Sequence, residues 1–143
     1  MNWKSIAIHA LLLLVASIAF GIFEPQPAST APQAMLLSYL LTQCAFHLTY
    51  ACIFAHMTFK VENHPFAHAL LAVLLSQEAS FVLLASLLSY TGEELPPLQP
   101  LPVLAFEYTL LLAALVAGTA VGVRRRRRKL MQSGLVGHAA ANA

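Results

Sequence analysis

Charged side chains are scarce in this sequence. Asp, Glu, Lys and Arg together make up 10% of the 143 residues, whereas hydrophobic residues make up 59%. Soluble domains carry about 25% charged residues, so this composition excludes an ordinary soluble domain and indicates a membrane protein. A membrane-crossing helix needs about 20 apolar residues. The chain therefore has room for four crossings and for no separate soluble domain.

Catalytic motifs are missing as well. The sequence has no HExxH motif, no P-loop, no Ser-His-Asp arrangement and no paired-cysteine redox motif. The segments between the apolar runs are too short to hold a catalytic domain. We therefore predict a protein that is not an enzyme and that needs no cofactor. The two cysteines, Cys44 and Cys52, lie two turns apart on one predicted helix, a spacing that excludes a disulfide between them.

Four apolar segments are present, and they predict an all-α membrane protein with four transmembrane helices in a bundle joined by short loops. The helices are expected at residues 6–23, 34–58, 66–90 and 103–123, within a single transmembrane domain covering 1–129. The first segment is predicted to be an uncleaved helix, because its apolar run is long for a signal peptide and no small-x-small site follows. Residues 130–143, which are rich in small side chains, are predicted to form a disordered cytoplasmic tail.

Basic residues are confined to one side of the predicted membrane. Lys4 and Lys60 flank apolar segments on that side, whereas the proline-rich loops 24–33 and 91–102 have no Lys or Arg. The positive-inside rule then places both termini in the cytoplasm, and we predict a bacterial inner membrane protein. A final basic run is predicted to anchor the last helix and to bind anionic lipid headgroups. It comprises Arg124, Arg125, Arg126, Arg127, Arg128 and Lys129. Because no aromatic residues or folded module accompany this run, nucleic acid is not an expected partner.

Small residues at helical spacing predict where the helices touch. In lipid, close backbone approach and polar side chains drive helix association. Helix four has a ridge of small residues and helix two has a seam of small and weakly polar ones, and another face of helix two carries larger polar groups. The ridge is Ala114, Gly118 and Gly122; the seam includes Ser38, Thr42 and Thr49 and continues to His56; the other face carries Gln43, His47 and Tyr50. Helix two is therefore predicted to be contacted on more than one side.

Glu78 is the strongest candidate for a functional residue. A carboxyl group near the bilayer midplane has a high free-energy cost and usually faces a partner or a cavity. His47 lies at a similar depth, so the two can meet if helices two and three form an antiparallel hairpin. Gln43, Gln77 and Tyr50 complete this candidate site. It is either a proton- or ion-responsive site or a hydrogen-bonded latch between helices, and the sequence leaves both open.

Two further groups of residues are weaker candidates. His9, His56 and His68 are predicted at one level near the cytoplasmic boundary, where histidines from different helices could hold a haem or a metal. No carboxylate or thiolate stands at a fixed spacing beside them. Glu107 and Tyr108, near the outer end of helix four, are expected to reach water at the membrane interface.

The leading functional hypothesis is a small non-enzymatic membrane protein that acts through helix–helix association. It would be a homo-oligomer or a membrane-embedded subunit of a larger complex, of the accessory, sensor or immunity type. Membrane lipids with anionic headgroups are the other expected partners. The alternative is a channel or proton-coupled transporter that uses Glu78 and His47, and the third hypothesis is a haem or metal membrane protein.

Overall fold

A computed structural model describes residues 2–23, 31–92 and 100–141, with side chains described up to residue 132. These residues form four α-helices: α1 (Trp3–Ile22), α2 (Pro32–Lys60), α3 (Pro65–Thr91) and α4 (Leu101–Ala141). All four are long and apolar enough to cross a membrane. The prediction of an all-α chain with four membrane-length helices is confirmed. Most of the two proline-rich loops, residues 24–30 and 93–99, lies outside the described residues.

The helices begin where the sequence supplies a cap or a proline. Asn2 precedes α1, and its side-chain oxygen accepts a hydrogen bond from the backbone N–H of Ser5 at 3.1 Å. Both α2 and α3 start with a proline, at a position where the missing N–H has no helical partner to lose. His64 precedes α3 in the left-handed region, with φ 51°, and its carbonyl oxygen accepts from the N–H of His68.

Helix α4 is much longer than the predicted crossing. It continues past residue 123, through the basic run, and ends at Ala141. Residues 130–141 are therefore helical where a disordered tail was expected. Arginine has nearly the helix propensity of leucine, so a basic run does not end a helix, and no proline interrupts this segment.

The contacts between helices do not follow chain order. The most extensive contact joins α2 and α4; α1 packs against α2 and α3, and α4 also touches α3. The contact between α2 and α3 is the smallest of the five, and α1 and α4 do not meet within the described residues. Helices α2 and α3 thus lie diagonally rather than as the closely packed hairpin that the sequence suggested.

The buried core takes residues from all four helices and is centred on α2. Its largest fully buried side chains include Tyr50, Phe54, Ile6 and Leu13. The Tyr50 hydroxyl donates to the carbonyl oxygen of Leu13 at 3.1 Å, which satisfies the phenol inside the core and ties α2 to α1. The Phe46 ring lies 4.4 Å from the Tyr50 ring, centroid to centroid.

The outer surface of the helices is apolar. Leu48, Phe81 and Leu112 are each more than half exposed, as are many other large hydrophobic side chains in the middle of the helices. A water-soluble monomer rarely exposes so much contiguous apolar surface. An apolar surface of this extent is typical of a chain that lipid covers.

Helices α2 and α4 approach closely because two glycines leave room for the backbone of α2. A Cβ atom added at Gly118 would overlap the carbonyl oxygen of Ala51 and lie 2.9 Å from the Cβ of Phe54. One added at Gly122 would overlap the hydroxyl of Thr58. That hydroxyl donates to the carbonyl oxygen of Phe54 at 2.8 Å, so the contact buries no unsatisfied group at this position.

We expect Gly118→Ala to lower the free energy of unfolding by about 1–3 kcal/mol, because the new methyl group must push α2 away from α4. Gly21→Ala in α1 is the matched control, since a Cβ atom there meets nothing within 4 Å. The control should change stability by less than about 1 kcal/mol, in the stabilising direction. Thermal unfolding in detergent, followed by circular dichroism, measures both. Equal effects of the two substitutions would contradict the close approach.

Candidate functional site

A cleft of about 330 Å³ opens between α2, α3 and α4, and most of its polar side chains were singled out from the sequence. We call it the polar cleft. Its walls combine three aromatic rings, two leucines, two amides, a histidine and a carboxyl group. These are Gln43, Phe46, His47, Tyr50, Gln77, Leu104, Glu107, Tyr108 and Leu111. The cleft therefore contains four of the five members of the predicted polar site.

Glu107 supplies the carboxyl group of the polar cleft. It accepts a hydrogen bond from the Tyr39 hydroxyl at 3.0 Å and from the Gln43 side-chain amide at 3.4 Å. Both donors are on α2, one turn apart, so the carboxyl bridges α4 to α2. From the sequence, Glu107 is expected to reach water at the interface, at a depth that Gln43 can approach, and nothing there singles out Tyr39. The spacing of Tyr39 and Gln43, four residues apart on one helical face, was the signal that could have pointed to it.

His47 forms part of the inner wall of the cleft and is 7% exposed. Its Nδ1–H donates to the carbonyl oxygen of Gln43, one turn earlier, at 2.8 Å. In the neutral ring this bond leaves Nε2 as the atom that can accept a hydrogen bond or a proton. The ring of Phe46 packs edge-on against the imidazole at 5.1 Å between centroids. His47 is thus oriented by its own helix and by an aromatic neighbour.

Glu78 does not line the polar cleft. It is exposed on α3, and within the described residues it makes no hydrogen bond or ion pair. Its neighbour Gln77 lines the cleft instead. Successive residues of a helix point about 100° apart, so one step along α3 decides which of the two faces inward. The sequence left open whether Glu78 faces His47. In the structure Glu78 lies outside the cleft, and Glu107 supplies its carboxyl group.

The predicted ridge of α4 is buried, whereas the predicted seam of α2 is half-buried to exposed. Ala114, Gly118 and Gly122 lie buried on α4, with the two glycines against α2. On α2, the hydroxyls of Thr42 and Thr49 donate at 2.9 Å to carbonyl oxygens of their own helix, those of Ser38 and Ala45. Ser38, Thr42 and Thr49 are half-buried, and the seam continues to the exposed Cys52 and His56. The face of α2 that packs most deeply is the one that carries His47, Tyr50 and Phe54.

The three candidate histidines near the basic residues form a pair and a separate member. The rings of His9 and His56 lie 5.8 Å apart, centroid to centroid. His9 donates through Nδ1 to the carbonyl oxygen of Ser5 at 2.7 Å, and its buried Nε2 has no partner among the described residues. His68 accepts at Nε2 from the backbone N–H of Asn2 at 3.0 Å. Within the described ranges, no three His, Cys, Asp or Glu side chains cluster in a way that could hold a metal ion.

The residues of the basic run occupy different environments. Arg126 reaches back to the end of α2, where its guanidinium donates to the carbonyl oxygen of Val61 and, at 3.4 Å, to that of Glu62. Carbonyl groups at a helix end lack helical partners, so Arg126 caps α2 from another helix. The Lys129 ammonium lies 5.7 Å from the centre of the Phe59 ring. Arg124, Arg125, Arg127 and Arg128 are exposed.

Comparisons of the chain with protein-family models, with curated proteins and with solved structures give no match. No relative therefore suggests a role for the polar cleft, for Glu78 or for the basic run.

We expect Tyr39→Phe to lower the free energy of unfolding by about 1–2 kcal/mol, because Glu107 loses its shortest side-chain hydrogen bond. Tyr108→Phe is the matched control: Tyr108 also lines the cleft, but it is 58% exposed. It should cost less than about 0.5 kcal/mol. Thermal unfolding of the single variants and of Tyr39→Phe combined with Glu107→Ala measures the coupling. Additive effects of the two substitutions would show that the bridge contributes nothing.

Proposed function

We propose that this chain is an integral membrane protein, a four-helix bundle with both termini in the cytoplasm, which works by associating with other membrane helices and not by catalysis. It acts as a homo-oligomer or as the embedded subunit of a complex. The observation that supports this most directly is the position of Glu78 on the outward face of α3.

Glu78 lies at the midpoint of α3, and apolar side chains surround it. Leu74, Phe81 and Val82 share its face and are 52%, 60% and 60% exposed. An ionised carboxyl group at the centre of a bilayer costs about 2.5–3.5 kcal/mol when lipid alone surrounds it. A partner helix that covers this face and hydrogen-bonds the carboxyl group removes that cost. We therefore place the contact with the partner on the face of α3 around Glu78.

The distribution of charge supports the orientation that we propose. Lys60 and Arg125 line one groove, Arg126 contacts the end of α2, and the backbone of Asn2 contacts His68 near the start of α3. The N-terminus, the connection between α2 and α3, and the basic run thus share one end of the molecule, which we call the basic end. The positive-inside rule assigns such an end to the cytoplasm.

We expect Glu78→Leu to reduce self-association or partner binding by about tenfold, because the hydrogen bonds of the carboxyl group disappear. Glu78→Gln, which can still donate and accept, should retain more of the binding. Chemical cross-linking and native mass measurement in mild detergent report the stoichiometry, and fluorescence energy transfer between labelled chains in liposomes reports the affinity.

Ser86→Ala is the matched control on the same helix. Ser86 is exposed, and its hydroxyl already donates to the carbonyl oxygen of Val82 within α3, so its loss should leave association unchanged. Two results together would contradict the proposal. The first is a chain that is monomeric with no copurifying protein, and the second is a Glu78→Leu variant that is more stable than the wild type.

The polar cleft favours a second candidate function, a site for a proton or a cation. Glu107 there is held by Tyr39 and Gln43, and His47 and Gln77 line the same space. A carboxyl group and a histidine that share a cleft within a membrane protein are typical of proton and ion pathways. In this form of the transport hypothesis, Glu107 takes the role that the sequence analysis predicted for Glu78.

For this alternative we expect reconstituted protein to carry a proton or cation flux that Glu107→Gln lowers by about tenfold or more, because the charged group of the pathway is lost. Glu78→Gln is the control, since Glu78 does not line the cleft. A pH-sensitive dye trapped in liposomes reports proton flux. A flux equal to that of empty liposomes, or one that only Glu78→Gln affects, would exclude the cleft as the pathway.

A further inference from the structure

A groove of about 810 Å³ runs along the outer surface between α2 and α4, on the side away from the polar cleft. We call it the α2–α4 groove. Small and apolar side chains line most of it, and three basic or titratable side chains line the remainder. The lining residues are Leu48, Ala51, Cys52, Ala55, His56, Phe59, Lys60, Ala117, Gly118, Val121 and Arg125. None of these residues is acidic.

The groove exists because its floor has almost no side chains. Ala51, Ala55, Ala117 and Gly118 lie where α2 and α4 approach most closely, so the surface is hollow there. Larger residues stand higher along it, among them Leu48, which is 67% exposed. The same short side chains that let the two backbones meet therefore leave an elongated apolar depression on the outside.

The length and the polarity of the groove match one leaflet of a bilayer. From Leu48 to Lys60 the rise of an α-helix gives about 18 Å. Half of the hydrocarbon core of a membrane is about 15 Å thick. The apolar part of the groove thus has the length of a lipid tail, and Lys60, Arg125 and His56 stand at the basic end, at the depth of the headgroups.

Arg125 lines the groove, whereas the neighbouring Arg126 contacts the end of α2. The Arg126 guanidinium contacts the carbonyl oxygens of Val61 and Glu62, whereas the side chain of Arg125 is exposed. One helical step of about 100° separates the two arginines, which directs them to different sides of α4. Together, Arg125 and Lys60 provide two positive charges at one end of the α2–α4 groove.

We propose that the α2–α4 groove binds one anionic phospholipid of the cytoplasmic leaflet, with an acyl chain along the small-residue floor and the phosphate group between Lys60 and Arg125. A phosphate accepts hydrogen bonds from both cations, and an acyl chain needs only apolar walls. This site depends on the membrane placement proposed above, but not on a protein partner at Glu78.

Repulsion between like charges disfavours a second copy of the chain as the occupant of this groove. A second copy packed in parallel would bring its own basic run to the same end, where like charges oppose association. A lipid with a negative headgroup brings the opposite charge to Lys60 and Arg125.

Native mass spectrometry of the full chain in detergent, with added phosphatidylglycerol or phosphatidylcholine, tests the proposal. We expect one phosphatidylglycerol to remain bound per chain in preference to phosphatidylcholine. Lys60→Gln and Arg125→Gln should each weaken this binding by about fivefold, because each removes a charge at the headgroup position. Arg128→Gln is the matched control, since it removes the same charge from the run at a residue that does not line the groove.

Ala117→Phe distinguishes lipid binding in the groove from binding to the basic run alone. The phenyl ring fills the floor of the groove, and every charge stays in place. We expect it to lower phosphatidylglycerol retention by about tenfold, more than either charge removal alone. Ala117→Leu is the milder version if the larger ring unfolds the chain. Val116→Phe is the control, since Val116 is 54% exposed and does not line the groove. Circular dichroism confirms that each variant is folded.

Three results would overturn the proposal. The first is equal retention of the two lipids by the wild type. The second is phosphatidylglycerol binding that Ala117→Phe and Ala117→Leu leave unchanged, which would show binding to the basic run alone. The third is a dimer that Ala117→Phe dissociates, which would show a second chain in the groove. Loss of association in Glu78→Leu with lipid binding intact would support this site whatever the partner at α3.

Discussion

The contact between α2 and α4 determines much of this structure, and it depends on two positions without side chains. At Gly118 and Gly122 the backbone of α4 lies against Ala51 and Thr58 of α2, with no space for a methyl group. Such close approach supplies dispersion energy between the helices. In lipid, where hydrophobicity does not bring helices together, contacts of this kind are a main source of helix association. Both the polar cleft and the α2–α4 groove border this contact, one on each side.

Hydrogen bonds of polar side chains add further contacts to the close approach of α2 and α4. Glu107 is hydrogen-bonded by Tyr39 and Gln43 at the end of the helix pair opposite the basic end, and Arg126 caps α2 at the basic end. Tyr50 connects the same helix to α1 through its hydroxyl. Polar side chains therefore connect α2 to its neighbours along its length, which accounts for the number of polar residues in a helix apolar enough to cross a membrane.

The number of helices could be predicted because apolar length alone determines it, and the glycine ridge of α4 could be found because small residues recur every four positions. The partner of the ridge could not be predicted, since every apolar helix offers lipid-compatible surface. Whether His47 and Glu78 meet could not be predicted for a similar reason. Their meeting requires close packing of α2 and α3, which are adjacent in the chain, whereas α3 turns Ala72 and Ser76 inward and Glu78 outward. A shift of one residue along α3 rotates the helix face by about 100°, which is enough to decide whether Glu78 faces inward or outward.

The cap that Arg126 places on α2 has a consequence for how the chain is made. Helix α2 leaves the ribosome two helices before α4, so for that interval the carbonyl oxygens of Val61 and Glu62, and the side chains of Tyr39 and Gln43, lack the partners that α4 provides. Helix α1 can dock in the meantime, through the carbonyl oxygen of Leu13. Translation of the last helix thus completes the contacts of the second, and a chain that stops short of α4 contains an α2 helix without its principal partner.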